Sequence, residues 1–211
     1  MMVRIWRWGV RGRDALLKRW WQFRGHLMFS ALGVKNGEGV RFYGLPVVSL
    51  APDSSIELGS RVVLCSHPHY TALGVARPVV LRTLAPGAVI RVGSDVGISG
   101  GVICAAVSVE IGNQCLFGAD VQITDTDFHP LAAKNRRFEK RLEYISNAAV
   151  VIEDNVFLGA GVRVLKGVRI GRNTVVGAGS IVVRDLPSDV VAVGVPARIV
   201  NNLNSENEAA P

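Results

Sequence analysis

From Ile152 onward the chain reads IEDNVF, LGAGVR, VLKGVR, IGRNTV, VGAGSI, and no other feature limits its folding so tightly. An aliphatic residue returns at every sixth position: Ile152, Leu158, Val164, Ile170, Val176 and Val182. Four residues after each of the first five stands a small or β-branched residue, namely Val156, Val162, Val168, Thr174 and Ser180. Glycine or an acid often follows the aliphatic residue, as at Glu153, Gly159, Gly171 and Gly177. Six is neither the 3.6 of a helix nor the 2 of a plain strand. It suits a coil that turns a corner every six residues, with the aliphatic side chain inward and the small residue near the corner. Three hexads close one triangular turn, and stacked turns bury a continuous core.

The same phase returns upstream at Val92, Ile98 and Cys104, then at Ile111, Phe117 and Ile123 after one inserted residue. A fainter start lies at Leu58 and Leu64, and Pro52–Glu57 echoes Pro86–Arg91. Two segments break the period and are expected to leave the coil as loops, His67–Pro86 and Pro130–Asn147. Loops on a rigid repeat scaffold are where binding groups gather.

The repeat resembles that of the hexapeptide-repeat acyltransferases, over roughly residues 40–200. Val176–Val200, VGAGSIVVRDLPSDVVAVGVPARIV, is similar to the end of the coil domain in sugar, maltose and galactoside O-acetyltransferases. The resemblance implies an all-β fold, a left-handed parallel β-helix, with an N-terminal helical extension and two excursions. It implies transfer of acetyl from acetyl-CoA to a hydroxyl, a closed homotrimer with sites between subunits, and no metal. The boundaries expected are a helical segment at 1–38, the β-helix at 39–200 and a polar, frayed tail at 201–211. A bacterial surface-polysaccharide or lipid-linked glycan setting is part of the same implication.

Charge is not spread evenly. Residues 1–40 hold eight Lys and Arg against Asp14 and Glu38, which accounts for +6 of the net +7 of the 211-residue chain. All four tryptophans, Trp6, Trp8, Trp20 and Trp21, lie in that piece. Leu16, Trp20, Phe23 and Leu27 fall at i, i+4, i+7 and i+11, a helical stripe that Leu17, Trp21 and Met28 widen. Such a helix either packs on the coil or lies on an anionic membrane. The near-neutral remainder argues against nucleic acid as a partner. Arginines at positions 4, 7, 11 and 13 interrupt any signal-peptide core, and no apolar run is long enough to span a bilayer. Three unpaired cysteines, Cys65, Cys104 and Cys115, suit a reducing cytoplasm. A cytoplasmic protein, with or without peripheral contact at the inner membrane face, is the expectation.

The most chemically loaded motif is Asp125-Thr126-Asp127-Phe128-His129-Pro130. An imidazole can take the proton that an attacking hydroxyl loses, and Asp125 or Asp127 could orient the ring. The family resemblance implies His129 as the general base, because its histidine stands in an equivalent His-Pro step. Asp127 is also a candidate acceptor contact. A zinc reading through His67, His69 and His129 is disfavoured, because the paired ligands four residues apart in one coil are missing.

By the same resemblance, Phe157 replaces a tryptophan of many relatives. It either lines the path of a pantetheine arm or packs between subunits. The backbone at Gly159 and Ala160, and at Gly177 and Ala178, is expected along coenzyme A, near the oxyanion. Val183, Arg184 and Arg198 are expected towards its phosphate end, where guanidinium forks suit phosphate. Ser99 stands where galactoside-type relatives place an acceptor-binding asparagine, so the acceptor is expected to be held differently. Asp95 and Asn113 either face the acceptor or finish turns. The basic loop (Lys134, Arg136, Arg137, Lys140 and Arg141, with Glu139 and Glu143) either covers the site or is solvated. The expectation is an O-acetyltransferase of a sugar or glycan hydroxyl, with an amino-sugar N-acetyltransferase, a serine O-acetyltransferase or a non-catalytic scaffold as alternatives.

Overall fold

The computed structural model describes residues 2–139 and 141–203, and the side chains within them except those of residues 2–13 and 142. Short parallel strands form three sheets of six, eight and six strands, and consecutive strands step from one sheet to the next. One coil therefore reads Val150–Ile152, Phe157–Leu158, Arg163–Val164 before Arg169–Ile170 pairs back onto Val151–Ile152. This is the parallel β-helix of hexapeptide repeats, with the left hand that goes with the repeat.

The hexad positions do what their chemistry demands. Leu58, Val92, Ile111, Ile152 and Ile170 stack in register on the first face, all at most 5% exposed. Leu64, Ile98, Phe117, Leu158 and Val176 form the second column. The corner residues Val156, Val162, Val168, Thr174 and Ser180 are buried beside them. A further position of the hexad, occupied by Asn155, Gly161, Gly167, Asn173 and Gly179, has positive φ throughout (57, 70, 75, 60 and 72°). Glycine and asparagine tolerate that left-handed conformation, so their recurrence at that step is a backbone requirement.

Coil spacing sets a second requirement. A Cβ on Gly93 would lie 2.6 Å from the carbonyl carbon of Gly112 in the next coil. On the outside of the first face, Lys35, Glu57, Arg91 and Glu110 stack with alternating sign, paired at 3.0, 3.7 and 2.9 Å. The β-helix thus compensates its charge locally, as its near-neutral balance suggests.

Three details differ from the periodicity. Ile103, not Cys104, takes the inward position between Leu81 and Ile123, because Gly100 and Gly101 (φ 63 and 87°) turn the corner one residue early. The first excursion ends sooner than expected, since Val80–Thr83 is a strand paired with Val47–Ser49 and Val102–Ala105. The coil also begins earlier, at Lys35–Asn36, which pairs with Glu57–Leu58. At the far end Val190–Gly194 extends the second sheet and Ala197–Asn202 folds back antiparallel on it. The expected fraying of the tail concerns residues that, from 204 on, lie outside those described.

The helix Met2–Leu32 closes the coil's first end. Among its described side chains, Trp21 and Phe29 are buried and Met28 is half-buried. The Phe29 and Phe42 rings meet edge-on at 5.0 Å, and a Cβ on Gly25 would fall 2.6 Å from the Phe42 ring. Gln22 Nε2 donates to the Phe42 carbonyl at 2.9 Å. The stripe expected from sequence spacing, Leu16, Trp20, Phe23 and Leu27, instead faces solvent.

Two outcomes follow from this packing. Gly93→Ala should destabilise the chain by roughly 1–3 kcal/mol, the usual cost of overpacking, read from urea unfolding midpoints. All three cysteines are free and buried, and burial pushes the Cys115 thiol up to about 11. A thiol reagent at neutral pH should therefore find none of them in the native protein and all three in denaturant; rapid native labelling would contradict the packing.

Candidate functional site

The second excursion leaves the coil where the third face turns into the first, after Gln122–Thr124. Its base is locked by the carboxylate of Asp125, which is fully buried. One oxygen accepts the Ala106 N–H at 2.6 Å and the other the Val107 N–H at 2.7 Å. Burial pushes this carboxyl above the usual range, against the opposing pull of the amides. Asp125 is therefore not available to orient His129, as the motif had suggested: both oxygens are held by the backbone of the previous coil.

The two arms of the excursion then pair. Thr126 bridges Asn147, the Asp127 N–H donates to the Ser146 carbonyl at 3.1 Å, and the Ala148 N–H to the Asp125 carbonyl at 2.9 Å. Phe128 takes a positive φ of 61°, with its N–H on Thr126 Oγ1 at 3.1 Å. This turn delivers His129 to the surface, exposed, and no described residue hydrogen-bonds its ring. Asp127 does not orient the ring either. It forms an ion pair with Lys166 at 3.0 Å, both side chains about a quarter exposed. Lys166 escaped the sequence reading; its only signal is a lysine two residues after the inward Val164, where the next coil turns the same corner.

Val183 and Arg184 are exposed at this corner, one coil further on. The basic loop is largely self-satisfied. Arg136 donates to the carbonyls of Pro130 and Leu131, and Arg141 pairs with Glu139 at 2.7 Å and lies over Tyr144. Lys134 and Arg137 remain exposed, and Lys140 lies outside the described residues.

The remaining candidates gather elsewhere. Ser99, Gly159, Ala160, Gly177 and Ala178 follow the strands of the second face, at the corner leading to the third. The Gly159 N–H donates to the Val176 carbonyl at 2.8 Å and that of Gly177 to Ala192 at 2.9 Å, so neither is free for an oxyanion. The N–H groups of Ala160 and Ala178 meet no acceptor among the described residues. Phe157 points outward from the second face in register with Leu116 and Val175; it is 45% exposed and Leu116 58%. Arg198 is exposed on the terminal strand, opposite Val193, with one guanidinium nitrogen on the Ala197 carbonyl.

His67 stacks against Trp21 at 5.2 Å and takes the His69 N–H on Nδ1, so these histidines belong to the junction of helix and first excursion. They do not converge with His129, and the described residues contain no cluster of three metal-binding side chains. Asp95 and Asn113 finish turns: Asp95 is held by Arg61 at 2.5–2.6 Å, and Asn113 Oδ1 accepts the Ser94 N–H at 2.9 Å.

The candidates of one chain thus occupy two corners separated by the third face. From Ala160 the chain turns at Gly161 (φ 70°) and then runs through the strand Arg163–Val164 to Leu165, so the two corners lie within about 16 Å of each other. Asp125→Ala should leave the Ala106 and Val107 amides unpaired and cost about 3 kcal/mol in urea unfolding. An unchanged midpoint would show that the lock carries no weight.

Comparison with known proteins follows this geometry. Residues 149–184 match the family described as bacterial transferase hexapeptide (six repeats). A galactoside O-acetyltransferase of Lactococcus lactis is 46% identical over 97 residues, covering 46% of this chain and 44% of that protein. A serine acetyltransferase of Synechococcus elongatus is 30% identical over 170 residues, 70% of this chain and 63% of that protein. Among solved structures, PerB from Caulobacter crescentus, in complex with CoA and GDP-perosamine, is 25% identical with a TM-score of 0.51, covering 86% of this chain and 66% of that one. The chain spans less than two thirds of either curated relative. Residues 149–184 match the bacterial transferase hexapeptide family, and the coil around them is similar to that of these proteins.

Proposed function

We propose that the chain is an acetyl-CoA-dependent O-acetyltransferase acting on a hydroxyl of a sugar or glycan intermediate. The observation that carries this is His129: an exposed imidazole without an internal partner, presented by a loop whose base is pinned to the coil by Asp125. The acetyltransferase names of the relatives support the reaction class. The CoA in the PerB complex supports the donor, and its GDP-perosamine supports a sugar acceptor.

The residues fit the donor at the second corner. The Ala160 and Ala178 N–H groups are open, Phe157 offers an apolar wall, and Gly159 and Gly177 let successive coils stack closely there. Acetyl-CoA supplies an acetyl group activated as a thioester. His129 removes the proton of the acceptor hydroxyl as its oxygen attacks, then returns it to the departing thiolate. An Ala160 N–H steadies the charge that develops on the carbonyl oxygen. Arg184 and Arg198 meet the phosphates, and Ser99 and Asp127 remain candidates for acceptor contact. Lys166 holds Asp127, and with it the turn that carries His129. No metal is required by these steps.

Because the candidate groups lie on two different corners of one chain, a neighbouring copy completes the site in this reading, and a closed homotrimer supplies three equivalent clefts. Three buried free thiols suit the reducing cytoplasm. The described residues contain no helix long and apolar enough to cross a membrane.

Release of free thiol from acetyl-CoA, screened over sugars, nucleotide sugars, amino sugars and serine, tests the reading. A hydroxyl sugar is expected to stimulate release, and His129→Ala to lower kcat by about 100-fold or more. Near-normal turnover of that variant would sink the assignment of the base. Stimulation by serine alone, or by an amine and not by its hydroxyl counterpart, would select the serine or amino-sugar reading instead. Failure to bind coenzyme A in calorimetry would leave a scaffold.

A further inference from the structure

The helix Met2–Leu32 has two apolar sides, and the coil uses one. Trp21, Gly25 and Phe29, at i, i+4 and i+8, are the buried side. Leu16, Trp20, Phe23 and Leu27 lie on the opposite side and are 67, 48, 67 and 55% exposed. An isolated exposed leucine means little, but four large apolar groups in one helical line, facing away from the protein, form a coherent surface. Every residue from Ala15 to Trp20 is exposed, although Lys18 Nζ on the other side of the helix lies over the Tyr43 and Tyr70 rings at 5.8 and 5.1 Å.

The stripe is bordered by cations. Arg19 and Arg24 are exposed beside it, and the Arg24 guanidinium lies over the Trp20 ring at 5.3 Å. Residues 1–40 carry +6 while the other 171 residues carry +1. A second copy laid on this stripe would bring like charges together, which disfavours self-association. The helix is too polar to cross a bilayer. An amphipathic helix with aromatic and leucine side chains on one face, cations at the border and insufficient apolar length to span fits the headgroup region of an anionic bilayer.

We propose that the outer face of this helix docks the protein on an anionic phospholipid surface, with Leu16, Trp20, Phe23 and Leu27 inserted among the acyl chains and Arg19 and Arg24 at the phosphates. This is independent of the acetyltransferase reading, and its test needs no acceptor. The full chain is mixed with phosphatidylcholine vesicles, with or without phosphatidylglycerol, and sedimented. Binding to the phosphatidylglycerol vesicles alone, reversed by salt, is expected. Phe23→Asp with Leu27→Asp should weaken it at least about tenfold. Arg19→Gln with Arg24→Gln should weaken it about fivefold per charge removed. Circular dichroism checks that both variants keep their fold, and the charge variant serves if the first does not fold. No binding to phosphatidylglycerol vesicles, or binding unchanged in a folded variant, overturns the proposal. So does a lipid-free mass, by sedimentation equilibrium, that falls in the Phe23/Leu27 variant, because the stripe is then a contact between protein chains.

Discussion

Everything in this molecule depends on how closely one coil can lie on the next. Parallel pairing holds neighbouring strands at about 4.8 Å, and the corners must keep that spacing without side chains in the way. Gly59, Gly93 and Gly112 meet the backbone of the following coil so closely that a Cβ would need 2.6–2.7 Å from its main chain. Inside, the aliphatic columns fill the triangular section in register; outside, alternating charges neutralise each other along the first face. A scaffold built this way has little freedom, so the places where it departs from its own period stand out physically.

His129 occupies the largest departure. A long insertion in a stacked coil would splay the turns above and below unless its base were tied, and Asp125 ties it by capping two amides of the preceding coil. The cost is a carboxyl buried against its ionisation preference, offset by charge-assisted bonds. The Asp127–Lys166 pair adds a link to the following coil. The histidine thus stands on a turn anchored both ways along the axis, while its own ring keeps both nitrogens open.

Much of the architecture was legible in the residues. A six-residue period admits few solutions, and most inward and corner positions follow from residue type; the left-handed step at Asn155, Gly161, Gly167, Asn173 and Gly179 is seen only in the structure. The phase error at Cys104 arose because a short corner at Gly100–Gly101 shifts the register by one residue, and periodicity does not reveal which corner is short. At the site, the family resemblance singled out His129, but the roles of the two acids depend on contacts 18–19 residues away in sequence and on Lys166 in the next coil. Nothing in the local sequence distinguishes a carboxylate that faces a histidine from one that faces a backbone amide.

The helix makes the division plainest. Its sequence determined that it is helical and basic with a broad apolar arc, because spacing and composition suffice for that. Which side is buried was decided by the tertiary fold: Gly25 lets Phe42 approach, so the Trp21–Phe29 line closes the coil and the Leu16–Leu27 line is left to solvent. Likewise, the hexads determined that coils form and stack, since their side chains fit only that arrangement. Only the assembled structure set Ala160 and His129 on different corners, because the third face runs between them, and no single repeat contains it.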